Sequence, residues 1–149
     1  ENLLILRAFT KSHGLAGLRL GYALSQNTAL LRSMARCGPP WAVSAPAQAA
    51  GAAALDETAY LAALRDLIRQ ERPYLAAGLA DLGCRVCPGE ANYLLFFHGA
   101  PGLSHRLAER GVLIRNCSNY CGLGPGWYRA AVRGREENAA FLAAMKEVL

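Results

Sequence analysis

The chain has 149 residues, is 53% hydrophobic, and carries 16 Lys and Arg against 11 Asp and Glu, for a net charge of +5. Its length fits one compact unit with a real core, and no run of about 20 uncharged apolar residues is present to span a membrane. The basic residues are scattered rather than clustered, which argues against a nucleic-acid partner. An odd set of cysteines (Cys37, Cys84, Cys87, Cys117 and Cys121), with no basic and apolar leader at the start, predicts a reducing, cytoplasmic setting.

In chain order, the apolar run Leu3–Phe9 predicts a buried strand. It stops at a polar loop, Thr10-Lys11-Ser12-His13-Gly14, and Gly14 and Gly17 permit a tight return into a second strand near Leu18–Ala23. Asn27–Cys37 predicts a short amphipathic helix ended by Gly38-Pro39-Pro40. Ser44 is a plausible N-cap, with Pro46 in the first turn of an alanine-rich helix to about Leu55. Asp56 or Thr58 caps the next helix, whose apolar positions Leu61, Leu64, Leu67, Ile68, Leu75, Leu79 and Leu82 keep a spacing of three to four. Pro73 predicts a kink or break near Glu71, and Gly83 ends the helix. Strands follow at Cys84–Cys87 and Tyr93–Phe97, then a short helix Leu103–Arg110 closed by Gly111. A strand Val112–Arg115, a loop Asn116–Gly126, a strand Trp127–Arg133 and a last helix Arg135–Leu149 complete the chain. From Asp56 onward the pattern is an α+β layer of helices on a mixed sheet. Cys84 and Cys87 spell C-x-x-C, but strand positions three apart point to opposite faces, so buried or edge thiols are expected rather than zinc.

Two sets of residues carry chemistry. Lys11 is an amine on a glycine-bounded platform, and a lysine amine condenses with an aldehyde. Arg19 lies eight residues on, and a planar guanidinium suits a phosphate. An aldehyde and a phosphate in one ligand describe pyridoxal phosphate. Further along, Arg129 and Arg133 fall on one face of the predicted strand, and two same-side arginines in an apolar strand point to an anionic ligand.

The string from Lys11 to Tyr22 resembles the lysine segment of the fold-type-I pyridoxal-phosphate enzymes, the aminotransferase superfamily. It is closest to the branch of histidinol-phosphate aminotransferases and threonine-phosphate decarboxylases, where Lys-x-x-Gly-Leu-Ala-Gly-Leu-Arg-x-Gly-Tyr is typical. Trp41-Ala42-Val43-Ser44 with Ala47-Gln48-Ala49-Ala50-Gly51, Ala91-Asn92-Tyr93, Gly111–Arg115 and Arg129–Arg133 with Glu137-Asn138 are similar to later family motifs, so the likeness runs the length of the chain.

The resemblance implies an α/β fold: the C-terminal domain of such an enzyme, residues 26–149, preceded by a large-domain remnant, residues 1–25, that carries the Schiff-base lysine. It implies that the chain is a C-terminal portion, poorly active alone, of a homodimeric enzyme acting on a small phosphorylated amino acid. Lys11 becomes the cofactor lysine and proton carrier. Thr10 and Arg19 hold the cofactor phosphate, while Ala8 stands where a Ser or Thr usually adds a bond. Arg129 holds the substrate carboxylate, Arg115 a distal phosphate, and Asn92 lines the site or caps structure. Ser44 and His13 take no role from the family. The loop Cys117–Gly124 is similar to the decarboxylase side and puts threonine-phosphate decarboxylation first, ahead of transamination. A non-catalytic binding module that retains the motif is the expectation of another class.

Overall fold

The computed structural model describes residues 2–149 and divides into two compact units that meet within one helix, at Leu64 and Arg65. The N-terminal unit takes in helices well beyond residue 25. It starts with an antiparallel ribbon: β1, Ile5–Ala8, pairs with β2, Gly21–Leu24. Gly21 lies opposite Ala8, and a Cβ there would meet the Arg7 carbonyl oxygen at 2.7 Å, so the close approach demands glycine.

The ribbon corrects the expected buried strand. All of β1 is exposed, Leu6 by 70%, because two strands cannot bury both of their faces. The residue that goes inside is Phe9. It opens a one-turn helix, α1, Phe9–Ser12, where a polar loop was expected. A 3₁₀ turn, Ala16–Leu18, leads back to β2.

Capping fixes the next helices. Asn27 Oδ1 accepts from the Leu30 amide at 2.9 Å to start α2, Thr28–Cys37, and Ser44 Oγ accepts from the Ala47 amide at 3.4 Å to start α3, Ala45–Asp56. The buried face of α3 is Ala47, Gly51 and Ala54. Small residues at this spacing admit Phe9 and Leu20; a Cβ on Gly51 would fall 2.3 Å from Leu20 Cδ2.

Helix α4, Thr58–Asp81, runs 24 residues with Pro73 inside it. The expected break is not there. Pro73 is exposed, and the buried Glu71, Leu75 and Leu79 anchor the turns on both sides of it. A Schellman turn ends the helix: Gly83, at φ 80°, donates to the Ala80 carbonyl and Cys84 to the Leu79 carbonyl.

In the C-terminal unit, β3 (Arg85–Val86), β4 (Tyr93–Phe97), β5 (Arg115–Asn116) and β6 (Trp127–Ala131) form a sheet of order β3-β4-β6-β5. Every pairing in it is antiparallel rather than mixed, because neighbouring strands run back on each other along β4 and β6. The side-chain period of two then divides the residues. Leu94, Phe96, Tyr128 and Ala130 face the core, against Leu75 and Leu79 of α4, Leu103 and Leu107 of α5 (Leu103–Glu109), and Phe141, Met145 and Val148 of α6 (Arg135–Val148). Full burial of each large aliphatic side chain is worth about 1.5–3 kcal/mol. The opposite face carries Arg85, Tyr93, Leu95, Phe97, Trp127, Arg129 and Arg115. Strand β5 is shorter than expected because Val112–Ile114 lie outside the ladder, with Leu113 85% exposed. Among the described residues no helix is long and apolar enough to cross a membrane.

Candidate functional site

In the N-terminal unit, Phe9 acts as a nail. Its amide donates to the Leu20 carbonyl at 3.2 Å, its carbonyl accepts from His13 and Leu15, and its ring lies against those of His13 and Tyr22. This fixes the turn that follows, leaving Thr10 half-buried and Lys11 exposed. Arg19 sits just after the 3₁₀ turn at φ 53°, a left-handed conformation that strains any residue with a Cβ. Its Nη1 donates to the Ala16 carbonyl at 3.3 Å, its one side-chain bond among the described residues. Sequence patterning misses this strain, since an arginine carries no signal for positive φ; the neighbouring glycines are the only hint.

One glycine-bounded turn and return therefore hold an amine, a hydroxyl and a guanidinium. Neither Lys11 nor Arg19 has a carboxylate partner among the described residues. A set of donors and cations with no acid to neutralise it fits a phosphorylated aldehyde. Ala8 adds no hydroxyl to the set.

In the C-terminal unit, the register pairs Arg115 directly with Arg129 across β5 and β6. Residues directly opposite on antiparallel strands share a face. The Arg129 guanidinium lies 4.7 Å from the centre of the Tyr93 ring, and that of Arg115 lies 5.7 Å from Tyr120. Arg115 Nη2 also donates to Asn119 Oδ1 at 3.4 Å. Like charges directly opposite repel, and neither arginine has a carboxylate among the described residues. An anion bound there relieves the repulsion.

Arg133 lies two residues past the end of β6 and is exposed as Ala131 is, with the buried Val132 between them. Unlike Arg115 and Arg129 it is ion-paired: its Nε donates to Glu137 Oε1 at 2.5 Å, in the first turn of α6. Asn92 lies in the bend before β4, exposed, and its backbone carbonyl accepts from the Val132 amide at 2.9 Å. The contact it makes is structural and prolongs the ladder past Tyr93 and Ala131. Tyr93, Asn119 and Tyr120 are the residues that sequence reasoning passed over; their spacing from the arginines shows no contact until the strands are paired.

Cys84 and Cys87 divide as the strand geometry implies, one buried and one half-buried. Burial pushes the Cys84 thiol up to about 11, which makes it a poor nucleophile.

Against known proteins, the family model for aminotransferase class I and II matches residues 1–145. The histidinol-phosphate aminotransferase of Anaeromyxobacter sp. is 42% identical over 99% of this chain and 41% of its own length. The threonine-phosphate decarboxylase of Salmonella typhimurium is 38% identical over 97% of this chain and, again, 41% of its own. The crystal structure of the histidinol-phosphate aminotransferase from Clostridium acetobutylicum superposes with a TM-score of 0.92 at 30% identity, over 98% of this chain and 45% of that one. The chain thus spans about two-fifths of the length of the curated relatives it matches. The likeness covers the lysine turn and the arginine pair alike: the chain belongs to the class I and II aminotransferases, a family whose cofactor is pyridoxal phosphate.

Proposed function

We propose that the protein acts on a small phosphorylated amine, with transamination of histidinol phosphate first and decarboxylation of threonine phosphate second. The observation that carries this is the cross-strand pair Arg115 and Arg129, two unneutralised guanidinium groups on one sheet face. Relatives of both names support it, and the higher identity to the histidinol-phosphate aminotransferase reverses the order that the Cys117–Gly124 loop favours.

Pyridoxal phosphate, when bound, supplies an electron sink for the pair left behind when a bond to the substrate Cα breaks. Thr10 Oγ1 and the donors of Arg19 would hold its phosphate, and Lys11 Nζ would be its attachment point. As a free amine, Lys11 Nζ would take the proton from the substrate Cα in transamination, or deliver one to that carbon after CO₂ leaves in decarboxylation. Arg129 forks a carboxylate through two parallel N–H bonds and Arg115 holds the distal phosphate. Histidinol phosphate has no carboxylate, so in its half-reaction both arginines are available to the phosphate, and Arg129 takes up the carboxylate of the keto-acid acceptor. Threonine phosphate carries both anions at once, which is the specific match that keeps decarboxylation as the second choice. By resemblance, the whole protein works as a homodimer in the cytoplasm.

Incubating the purified holoenzyme with histidinol phosphate and a keto acid, and separately with threonine phosphate while trapping CO₂, distinguishes the two. Arg115→Ala serves as the companion variant. Equal turnover of an unphosphorylated amine, untouched by Arg115→Ala, removes the phosphate role; no turnover of any amine supports a binding module instead.

A further inference from the structure

We propose that Asn119 and Tyr120 determine specificity by orienting Arg115 toward the distal phosphate of the substrate, an inference that rests on the phosphate role given to Arg115 above. Arg115 stands on a two-residue edge strand and is exposed. A long side chain there samples many rotamers, and ordering it on a ligand costs entropy. Two contacts restrain it beforehand: the Tyr120 ring under the guanidinium and Asn119 Oδ1 at its edge.

Both come from one loop, and that loop is built. Cys117 is buried; its amide donates to the Trp127 carbonyl at 2.9 Å and its thiol to the Arg115 carbonyl at 3.6 Å. The Ser118 amide donates to Asn116 Oδ1 at 2.9 Å. The Tyr120 amide donates to the Cys117 carbonyl, and the Leu123 amide to the Tyr120 carbonyl, each at 3.0 Å. Gly122 at φ 81° makes the return.

The chemistry of the seat is telling. Among the arginines of this unit, Arg85 also lies over rings, those of Phe97 and Trp127, whereas Arg133, Arg135 and Arg110 are ion-paired with Glu137, Glu71 and Glu147. Arg115 instead receives a ring and an amide, which hold a guanidinium without cancelling its charge. The ring lies under the guanidinium and Asn119 takes one N–H, and a guanidinium has five, so donors remain for a bidentate phosphate.

The test uses the holoenzyme with a phosphorylated substrate and its unphosphorylated counterpart, comparing wild type with Tyr120→Leu, Tyr120→Phe, Asn119→Ala and Arg115→Ala. Tyr120→Leu and Asn119→Ala are each expected to raise KM for the phosphorylated substrate about 3- to 10-fold. Their kcat values, and KM for the unphosphorylated substrate, should not move, and Tyr120→Phe should behave as wild type because it keeps the ring. A KM that does not rise, or rises equally for both substrates, while Arg115→Ala still abolishes the phosphate preference, overturns the role of Asn119 and Tyr120. If Arg115→Ala itself keeps that preference, the phosphate role falls, and this inference with it.

Discussion

Arg115 and Arg129 face each other across two strands, and neither has a carboxylate partner among the described residues, an arrangement that costs stability unless an anion is bound. Arg129→Ala removes a charge-assisted pair to the carboxylate, so KM for the keto-acid acceptor should rise about 10- to 150-fold, equivalent to about 1.5–3 kcal/mol. Steady-state kinetics check this, and an unchanged KM would assign the carboxylate to another group. Lys11→Ala should abolish borohydride fixation of the cofactor, read by mass spectrometry of the reduced protein; a label that persists in the variant would move the attachment elsewhere. Cys84 gives a pH prediction. Burial raises its thiol from the ordinary 9.0 to about 11. Below pH 9 it is protonated folded or unfolded, so its contribution is fully present. Between about 9 and 11 only the unfolded chain loses the proton, so stability falls, by at most about 2–3 kcal/mol. Urea denaturation across that range should show a shallower loss in Cys84→Ala. Lys11, Arg19, Arg115 and Arg129 could be picked out as candidates because each lies in a contiguous motif. The partner of Arg133 was not legible, since Glu137 captures it just beyond the end of β6.

Among the elements, helices were read closely where side-chain oxygens cap them, at Asn27 and Ser44, and where glycine closes them, at Gly83 and Gly111. Strand lengths were not, since pairing partners rather than propensity set them: β5 keeps only the two residues that find β6. The unbroken course of α4 was also hidden, because its anchor is a buried acid whose partners lie more than sixty positions away. Glu71 accepts from Arg135 Nε at 2.9 and 3.1 Å and from Asn138 Nδ2 at 3.0 Å. Asn138, 2% exposed, also donates to the Arg133 carbonyl at 2.8 Å and accepts from the Arg133 amide at 3.1 Å. Its amide thus imitates one more strand residue, tying the end of β6 to α4 and α6. Asn138→Ala leaves the Glu71 carboxylate and both Arg133 backbone groups short of partners and should destabilise the chain by about 1–3 kcal/mol. Chemical denaturation measures it; a loss below about 0.5 kcal/mol would show that water replaces the amide.

At the scale of the whole molecule the core is lopsided. The unit up to Leu64 buries Phe9, Ala47 and Ala54, whereas the unit from Arg65 encloses the cluster of Leu75, Leu79, Leu94, Phe96, Leu103, Leu107 and their neighbours. Amides of β4, β6 and α6 should therefore exchange with deuterium orders of magnitude more slowly than those of the β1–β2 ribbon, as mass spectrometry of the 149-residue chain can follow; uniform protection would contradict this. Family membership was legible across the whole chain, but the bond broken at the substrate Cα was not, because that depends on an angle set by a bound ligand. The cysteines offer a last consequence. Cys84 and Cys117 are buried, while Cys37 on α2 and Cys121 in the Arg115 loop are exposed, one in each unit. With the half-buried Cys87 replaced by serine, the native chain becomes its own ruler. Spin labels on those two thiols would report the separation of the units in solution, and whether an anion at the arginine pair changes it, without any engineered attachment site.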